Sequence, residues 1–344
     1  MTLGTLVSDA LRAAGLDPVD TGQVVRGALD EDFRYGPDAT SAATAPAGTP
    51  AVAEVVARQP GVLAGLPVAL AVLDAAGLAP SAATPLRADG DRVGPGTAVL
   101  RIRGPLREML GAERTLLNFL THLSGIATVT RAWVDVLAGT GAVLRDTRKT
   151  TPGLRQLEKY AVRCGGGTNH RMGLGDAALV KDNHVAAAGG ITAAIRAVQA
   201  AAPGLPLEVE CDSVAQVEEA LAAGAELILL DNMSLDQMRS AVAIARAYPA
   251  AKLEASGGLR LENAREVAGT GVHYLSVGAL THSSPALDLA LDVSLSAHRG
   301  CRYANCPSCH GLPSTHPHHG CGQAQRPLSM RGPTGTLATS ASEG

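Results

Sequence analysis

The sequence predicts an α/β protein, with a mixed N-terminal unit followed by a closed or nearly closed barrel of parallel strands. Three observations carry this. Six short apolar runs between residues 142 and 280, most of them separated by helical stretches, make βαβ units. Most of these runs begin apolar and end in charged, Gly or Asn residues. Aromatics are only 2% of a chain that is 46% hydrophobic, so the core must come from Ala, Val, Leu and Ile. That suits parallel strands covered by Ala-rich helices.

Residues 1–110 read as the mixed unit. "LVSDALRAAG" has helical spacing in Leu6, Ala10, Leu11 and Ala14 and stops at Gly15. A Pro/Ala/Thr-rich connection over 36–50 leads into "AVAEVVARQPGVLAGL", which reads as strand, turn and strand. Turn signals at Asp89-Gly90 and Gly94-Pro95-Gly96 precede an alternating strand over 98–103. A long apolar helical pattern covers 106–137, with a break expected near Ser124-Gly125 from the small residues.

The six runs are "AVLRDTRKT" (142–150), "AALVKDNHV" (177–185), "PLEVECDS" (206–213), "ELILLDNMS" (226–234), "KLEASGGL" (252–259) and "HYLSVGAL" (273–280). The C-terminal ends of barrel strands form the active-site face. Along "LEVECD", Leu207, Val209 and Cys211 share one side of the strand, and Glu208, Glu210 and Asp212 the other. In "KLEAS", Leu253 and Ala255 oppose Lys252, Glu254 and Ser256. The apolar sides can pack on helices, leaving the polar sides inside the barrel. Polar groups enclosed there are costly unless paired or used.

The strand ends offer Arg148, Lys149 and Lys181, with His170 and Arg171 on the glycine-rich "RCGGGTNHR" and Arg114 in the preceding helix. Singly, each reads as a salt-bridge partner. Together they fit an anion with several carboxylates or phosphates. Glu210 and Asp231 supply acidic groups able to hold sugar hydroxyls or a Mg²⁺ attached to a pyrophosphate. The last strands end in Ser256-Gly257-Gly258 and Val277-Gly278-Ala279, where small residues let N–H groups approach a phosphate. The implied ligand has a phosphate, a ribose and an acidic ring.

Other classes find little support. Net charge is −3, which points to no nucleic-acid partner. No apolar stretch approaches the ~20 residues of a membrane span, and the N-terminus lacks the basic start of a signal peptide. A cytoplasmic protein with reduced thiols is the expectation. There is no Walker loop, no G-x-G-x-x-G after a strand and no nucleophile elbow. His122, His184 and Cys164 are read as structural.

Several segments closely resemble quinolinate phosphoribosyltransferases: "AERTLLNFLTHLSGIAT" (112–128), "RDTRKTTPGLRQLEKYAVRCGGGTNHRMGLGDAALVKDNH" (145–184), "EVECDS" (208–213), "LILLDNMS" (227–234) and "SVGALTHS" (276–283). The resemblance runs from near the N-terminus to about residue 293. It implies an N-terminal α/β sandwich domain (1–110), an incomplete (β/α) barrel (111–282) and a segment returning to the first domain (283–294). It also implies a homodimer with shared sites, open to assembly into a hexamer. The implied reaction joins quinolinate to phosphoribosyl pyrophosphate with Mg²⁺, giving nicotinate mononucleotide, pyrophosphate and CO2. Carried over by motif, Arg148, His170, Arg171 and Lys181 bind the quinolinate carboxylates, and Arg114 does so from the neighbouring subunit. Lys149 lies between the two substrates, and Thr147 belongs to the substrate-binding set. Glu210 and Asp231 meet the ribose or the metal-bound pyrophosphate. Ser256, Gly257, Gly258, Val277, Gly278 and Ala279 surround the 5′-phosphate.

Residues 295–344 lie beyond the pattern and lack apolar periodicity, as expected of a disordered extension. Cys306, Cys309, His310 and Cys321, with His316, His318 and His319 between, raise a Zn²⁺ site as the lesser reading, because little is there to bury. Two rivals to the main reading remain. One is a related barrel phosphoribosyltransferase for a different acid, which the number of cations disfavours. The other is a binding scaffold, which would not need the acidic and basic set.

Overall fold

The computed structural model describes residues 3–295, so the expectations for the Cys/His tail lie outside the described residues. Helix α1 (Thr5–Ala13) buries Val7 and Leu11. Asp17 caps α2 (Pro18–Phe33) by accepting from the Val19 and Asp20 N–H groups, and Pro18 sits where no helical N–H bond is lost. Helix α3 (Ala39–Thr44) falls inside the stretch expected to be irregular. The Asp38 carboxylate accepts from the Ser41 N–H there, and this local cap overrides the loop-like composition.

The expected strand–turn–strand forms. Strand β1 (Pro50–Ala57) does not pair with β2 (Gly61–Val62). Both edges of β1 are occupied by longer partners, so β2 pairs instead with a short strand farther on. Helix α4 (Leu66–Ala75) follows, then β3 (Ala83–Pro85), β4 (Arg92–Val93), which is the partner of β2, and β5 (Ala98–Pro105).

Helix α5 (Leu106–Leu137) runs unbroken through Ser124-Gly125. A Cβ on Gly125 would lie 2.1 Å from the carbonyl oxygen of Pro285. The Ser124 hydroxyl accepts from the Ala64 N–H at 3.0 Å. The small residues therefore admit neighbouring chain rather than bend the helix.

The six apolar runs become β6 (Val143–Arg145), β7 (Ala178–Val180), β8 (Leu207–Cys211), β9 (Leu227–Asp231), β10 (Lys252–Ser256) and β11 (Tyr274–Ser276). Helix α6 (Arg155–Cys164) separates β6 from β7, and α7 (Asp182–Ala188) and α8 (Ile191–Ala201) follow β7. Helices α9 (Val214–Ala222), α10 (Leu235–Ala245) and α11 (Leu261–Ala268) alternate with the later strands. Ser234 and Gln237 close a capping box on α10. The strands form one parallel sheet in the order β6-β11-β10-β9-β8-β7. Among the described residues the free edge of β6 carries only an isolated bridge, Arg145 to Thr168. The result is an incomplete barrel, since the chain from β6 to β7 is spent on α6 and the glycine loop.

After α12 (Ala279–His282), β12 (Leu289–Leu295) pairs antiparallel with β1, completing the sheet β12-β1-β5-β3, on which α4 and α5 pack with α1–α3 outside them. Among the described residues no helix is long and apolar enough to cross a membrane.

Candidate active site

The barrel strands are short, and the site residues of their runs lie at the C-terminal ends of the strands or in the loops just beyond. There they line a cavity of about 640 Å³. Thr147, Arg148 and Lys149 enter from the loop after β6, and His170 and Arg171 from the loop before β7. Lys181, Glu210 and Asp231 come from the ends of β7, β8 and β9, and Ser256, Gly257 and Gly258 from the end of β10. Val277, Gly278 and Ala279 are not lining residues; Val277 is buried. Gly278 lies behind Lys149, where a Cβ would be 2.9 Å from the Lys149 Cδ. Arg114 is exposed on α5 and does not reach this cavity within one chain.

Opposite charges are held close. Lys181 Nζ donates to Glu210 Oε2 at 2.8 Å. Asn232, with the positive φ of 53°, donates its Nδ2 to Asp231 Oδ2 at 2.8 Å. The loop before β7 is braced by Asp176, which accepts from the Met172 and Gly173 N–H groups at 2.6 and 2.8 Å. Burial opposes ionisation of Asp176, but these bonds and Arg171 outweigh it and hold its carboxyl below the usual range.

The cations are not paired off in the same way. Burial and the charge of Arg148 both depress the proton affinity of Arg171. Arg148 Nε is buried with no hydrogen-bond partner among the described residues. Two like charges held together, one with an unused buried donor, make a site that an anion completes.

Beneath them His170 joins Glu208, Glu254 and Arg145, which the sequence left without a role. Glu208 and Glu254 are buried, at 3% and 0% exposure. His170 Nε2 is 2.7 Å from Glu208 Oε2 and 3.5 Å from Glu254 Oε1. Arg145 donates to Glu254 at 2.7 Å, and its guanidinium carbon lies 3.5 Å from the centroid of the Tyr274 ring. A second cavity of about 360 Å³ reaches the same cluster from the other end of the barrel. Glu208 and Glu254 had a sequence signal, since both fall on the polar side of their strands. Arg145 and Asn232 had none, because one precedes the polar run and the other reads as a turn residue.

His170, Glu208 and Glu254 present atoms within 4.8 Å of one another, the spacing of a metal site. The donor set does not fit. His170 Nδ1 accepts from the Arg171 N–H at 2.8 Å, which places the ring hydrogen on Nε2, facing Glu208. That nitrogen offers no lone pair to an ion, and Arg145 already compensates Glu254.

The residues read as structural have such partners. His122 Nε2 meets Glu158 Oε1 at 2.8 Å, and Glu158 also accepts from the Thr151 N–H at 3.0 Å. His184 Nδ1 accepts from the Lys181 N–H at 3.0 Å and caps α7. Burial pushes the Cys164 thiol up to about 12, far from a thiolate at neutral pH.

Comparison with known proteins gives the following matches. The family model described as the quinolinate phosphoribosyl transferase C-terminal domain matches residues 126–292, and the N-terminal domain model of that family matches 38–124. The chain is 56% identical over 273 residues to the nicotinate-nucleotide pyrophosphorylase [carboxylating] of Mycobacterium leprae, covering 78% of this chain and 95% of that protein. It is 39% identical to the Homo sapiens protein of the same name, covering 80% of this chain and 92% of the relative. The solved structure of the nicotinate-nucleotide pyrophosphorylase from Francisella tularensis superposes with a TM-score of 0.76 at 38% identity, covering 80% of this chain and 96% of that one.

Proposed function

The chain belongs to the quinolinate phosphoribosyltransferase family, and we propose that it makes nicotinate mononucleotide for NAD biosynthesis. Quinolinate and phosphoribosyl pyrophosphate are its substrates, and pyrophosphate and CO2 leave. The observation that carries this is the pairing of Arg148 with Arg171 in one cavity, beside the Lys181–Glu210 pair. An acid with two adjacent carboxylates answers the first pair, and a ribose with a charged leaving group answers the second. A ligand with one carboxylate would leave one of these part-buried cations, and the buried Arg148 Nε, less well answered.

In this reading Arg148, Arg171 and Lys181 hold the acid, His170 lines the site between Arg171 and Glu208, and Thr147 and Lys149 stand where the two substrates meet. The ring nitrogen attacks C1′ as the bond to pyrophosphate breaks. Positive charge that develops on the ribose is stabilised by Glu210 and Asp231, and negative charge on the leaving group by Lys149 and Lys181. Loss of the 2-carboxylate as CO2 follows: the bonding pair stays on ring C2, stabilised by the adjacent pyridinium nitrogen, and C2 then takes up a proton. Positioning and electrostatics carry the rate, without a covalent nucleophile.

Glu210 and Asp231 lie on the neighbouring strands β8 and β9 and line the same cavity. Carboxylate oxygens suit Mg²⁺, so these two would hold it together with the pyrophosphate. Bound there, it supplies charge neutralisation for the leaving group. Ser256, Gly257 and Gly258 would receive the 5′-phosphate, with Val277, Gly278 and Ala279 behind them. Arg114 would complete the acid site from a second subunit of a cytoplasmic homodimer. The division into a sandwich (1–110), a barrel (111–282) and a returning segment (283–294) belongs to the same proposal.

The test is to incubate the purified protein with quinolinate, phosphoribosyl pyrophosphate and Mg²⁺ and to follow nicotinate mononucleotide and CO2. Equal amounts of both support the reading. No product from a folded protein that binds phosphoribosyl pyrophosphate would point to a different acid.

A further inference from the structure

A buried ion pair lies behind the two cation-bearing loops, and no step of the proposed reaction uses it. Lys159 on α6 and Asp146 at the end of β6 are both fully buried, and the ammonium donates to the carboxylate. Taking both charges out of water is costly, and packed apolar residues of similar volume commonly serve stability as well or better. Burial opposes the charged form of each group, and their mutual attraction works against it. Stability alone therefore gives little reason for an ion pair here.

The contacts of the pair supply a reason. Asp146 Oδ1 accepts from the His170 N–H at 2.8 Å, and Lys159 Nζ donates to the His170 carbonyl oxygen at 2.9 Å. The main chain on both sides of His170 is thus gripped by one pair of side chains. Asn169 Nδ2 extends the grip, donating to Asp146 Oδ2 at 2.6 Å and to the Lys159 carbonyl at 2.9 Å. Asp146 itself immediately precedes Thr147, Arg148 and Lys149. One ion pair ties the loop carrying Arg148 to the loop carrying His170 and Arg171.

Arg148 and Arg171 repel one another. Loops free to relax would drift apart, and the cations would no longer match a fixed pair of carboxylates. A hydrogen-bonded ion pair in a dry interior resists that drift, because moving either loop strips a charge of its partner.

We propose that Asp146 and Lys159, with Asn169, are positioning residues that set the separation of Arg148 from Arg171 and so the recognition of an acid with two adjacent carboxylates. This rests on the function proposed above.

Steady-state rates with each substrate varied in turn test it, using the full chain with Mg²⁺. Wild-type protein comes first, and absence of nicotinate mononucleotide there would sink the function rather than the positioning role. The double variant Asp146→Asn/Lys159→Met removes both charges without stranding one. Its KM for quinolinate should rise about 10-fold or more, with the KM for phosphoribosyl pyrophosphate within about 2-fold of wild type. Asn169→Ala should remain folded, and its quinolinate KM should rise about 3-fold or more. That variant decides the matter where the double variant does not fold. An unchanged quinolinate KM in a folded variant, or an equal rise in both KM values, would overturn the proposal.

Discussion

Lys181 and Glu210 are joined across neighbouring strands, Nζ to Oε2 at 2.8 Å, although the proposed reaction asks opposite things of them. The pair is partly open to solvent, with side-chain exposures of 46% and 18%, so its worth to the fold is only about 0–1 kcal/mol. Its use is to keep two charges oriented until substrates replace each partner. Glu210→Ala should therefore shift Tm little while raising the KM for phosphoribosyl pyrophosphate about 10-fold or more. Steady-state kinetics with the donor varied check this, and an unchanged donor KM would remove Glu210 from its role.

Arg171 gives the complementary case. A charged hydrogen bond contributes about 1.5–3 kcal/mol, so Arg171→Ala should raise the KM for quinolinate about 10- to 100-fold. The KM for phosphoribosyl pyrophosphate should stay close to wild type. Equal effects on both substrates would count against the assignment.

The His170–Glu208 contact makes a pH-dependent prediction. Burial disfavours the charged imidazole, but Glu208 and Glu254 outweigh it, so the ring gains its second proton above the usual histidine range, giving up the Arg171 N–H bond at Nδ1 when it does. A folded-state pKa raised in this way contributes stability that is complete below the unfolded value and fades as pH rises through the folded one. Glu208→Gln removes the nearer carboxylate. The Tm difference between wild type and this variant should be larger near about pH 5.5 than near about pH 8.5. A gap that widened toward high pH would show that Glu208 does not hold up the proton on His170.

Two glycines separate stability from activity. Gly125→Ala sets a methyl group against the Pro285 carbonyl, which is main chain and yields little. Thermal denaturation should show a loss of about 1–3 kcal/mol or more. Gly278 has an ordinary helical φ of −69°, and a methyl there meets the flexible Lys149 side chain instead. Gly278→Ala should leave Tm nearly unchanged and lower kcat about 10-fold or more by displacing the ammonium group. Unchanged turnover would show that Lys149 tolerates the shift.

Much of the barrel was legible because each strand carries its own signal. "LILLD" and "KLEAS" are short apolar runs that turn polar at one end, and every such run became a strand of the parallel sheet. The small residues of α5 misled because Ser124-Gly125 looks the same in sequence whether it bends a helix or admits a neighbour. The partner it admits, Pro285, is distant in the chain. The strand–turn–strand of β1 and β2 was legible, while their pairing partners β5, β12 and β4 lie elsewhere in the chain.

For the site, the sequence by itself determined the inventory: cations, carboxylates and small residues, most at the end of a predicted strand, with His170 and Arg171 on the glycine loop and Arg114 in a helix. Period two even put Glu208 and Glu254 on the polar side. Only the tertiary structure decided which of these charges meet one another. Glu210 took Lys181, Glu208 took His170, and Asp146 took a lysine on a helix that no strand pattern connects to it. Periodicity reports which way a side chain faces along one element. The partner across a closed interior depends on how several elements pack, and electrostatic energy at 3 Å depends on that partner alone.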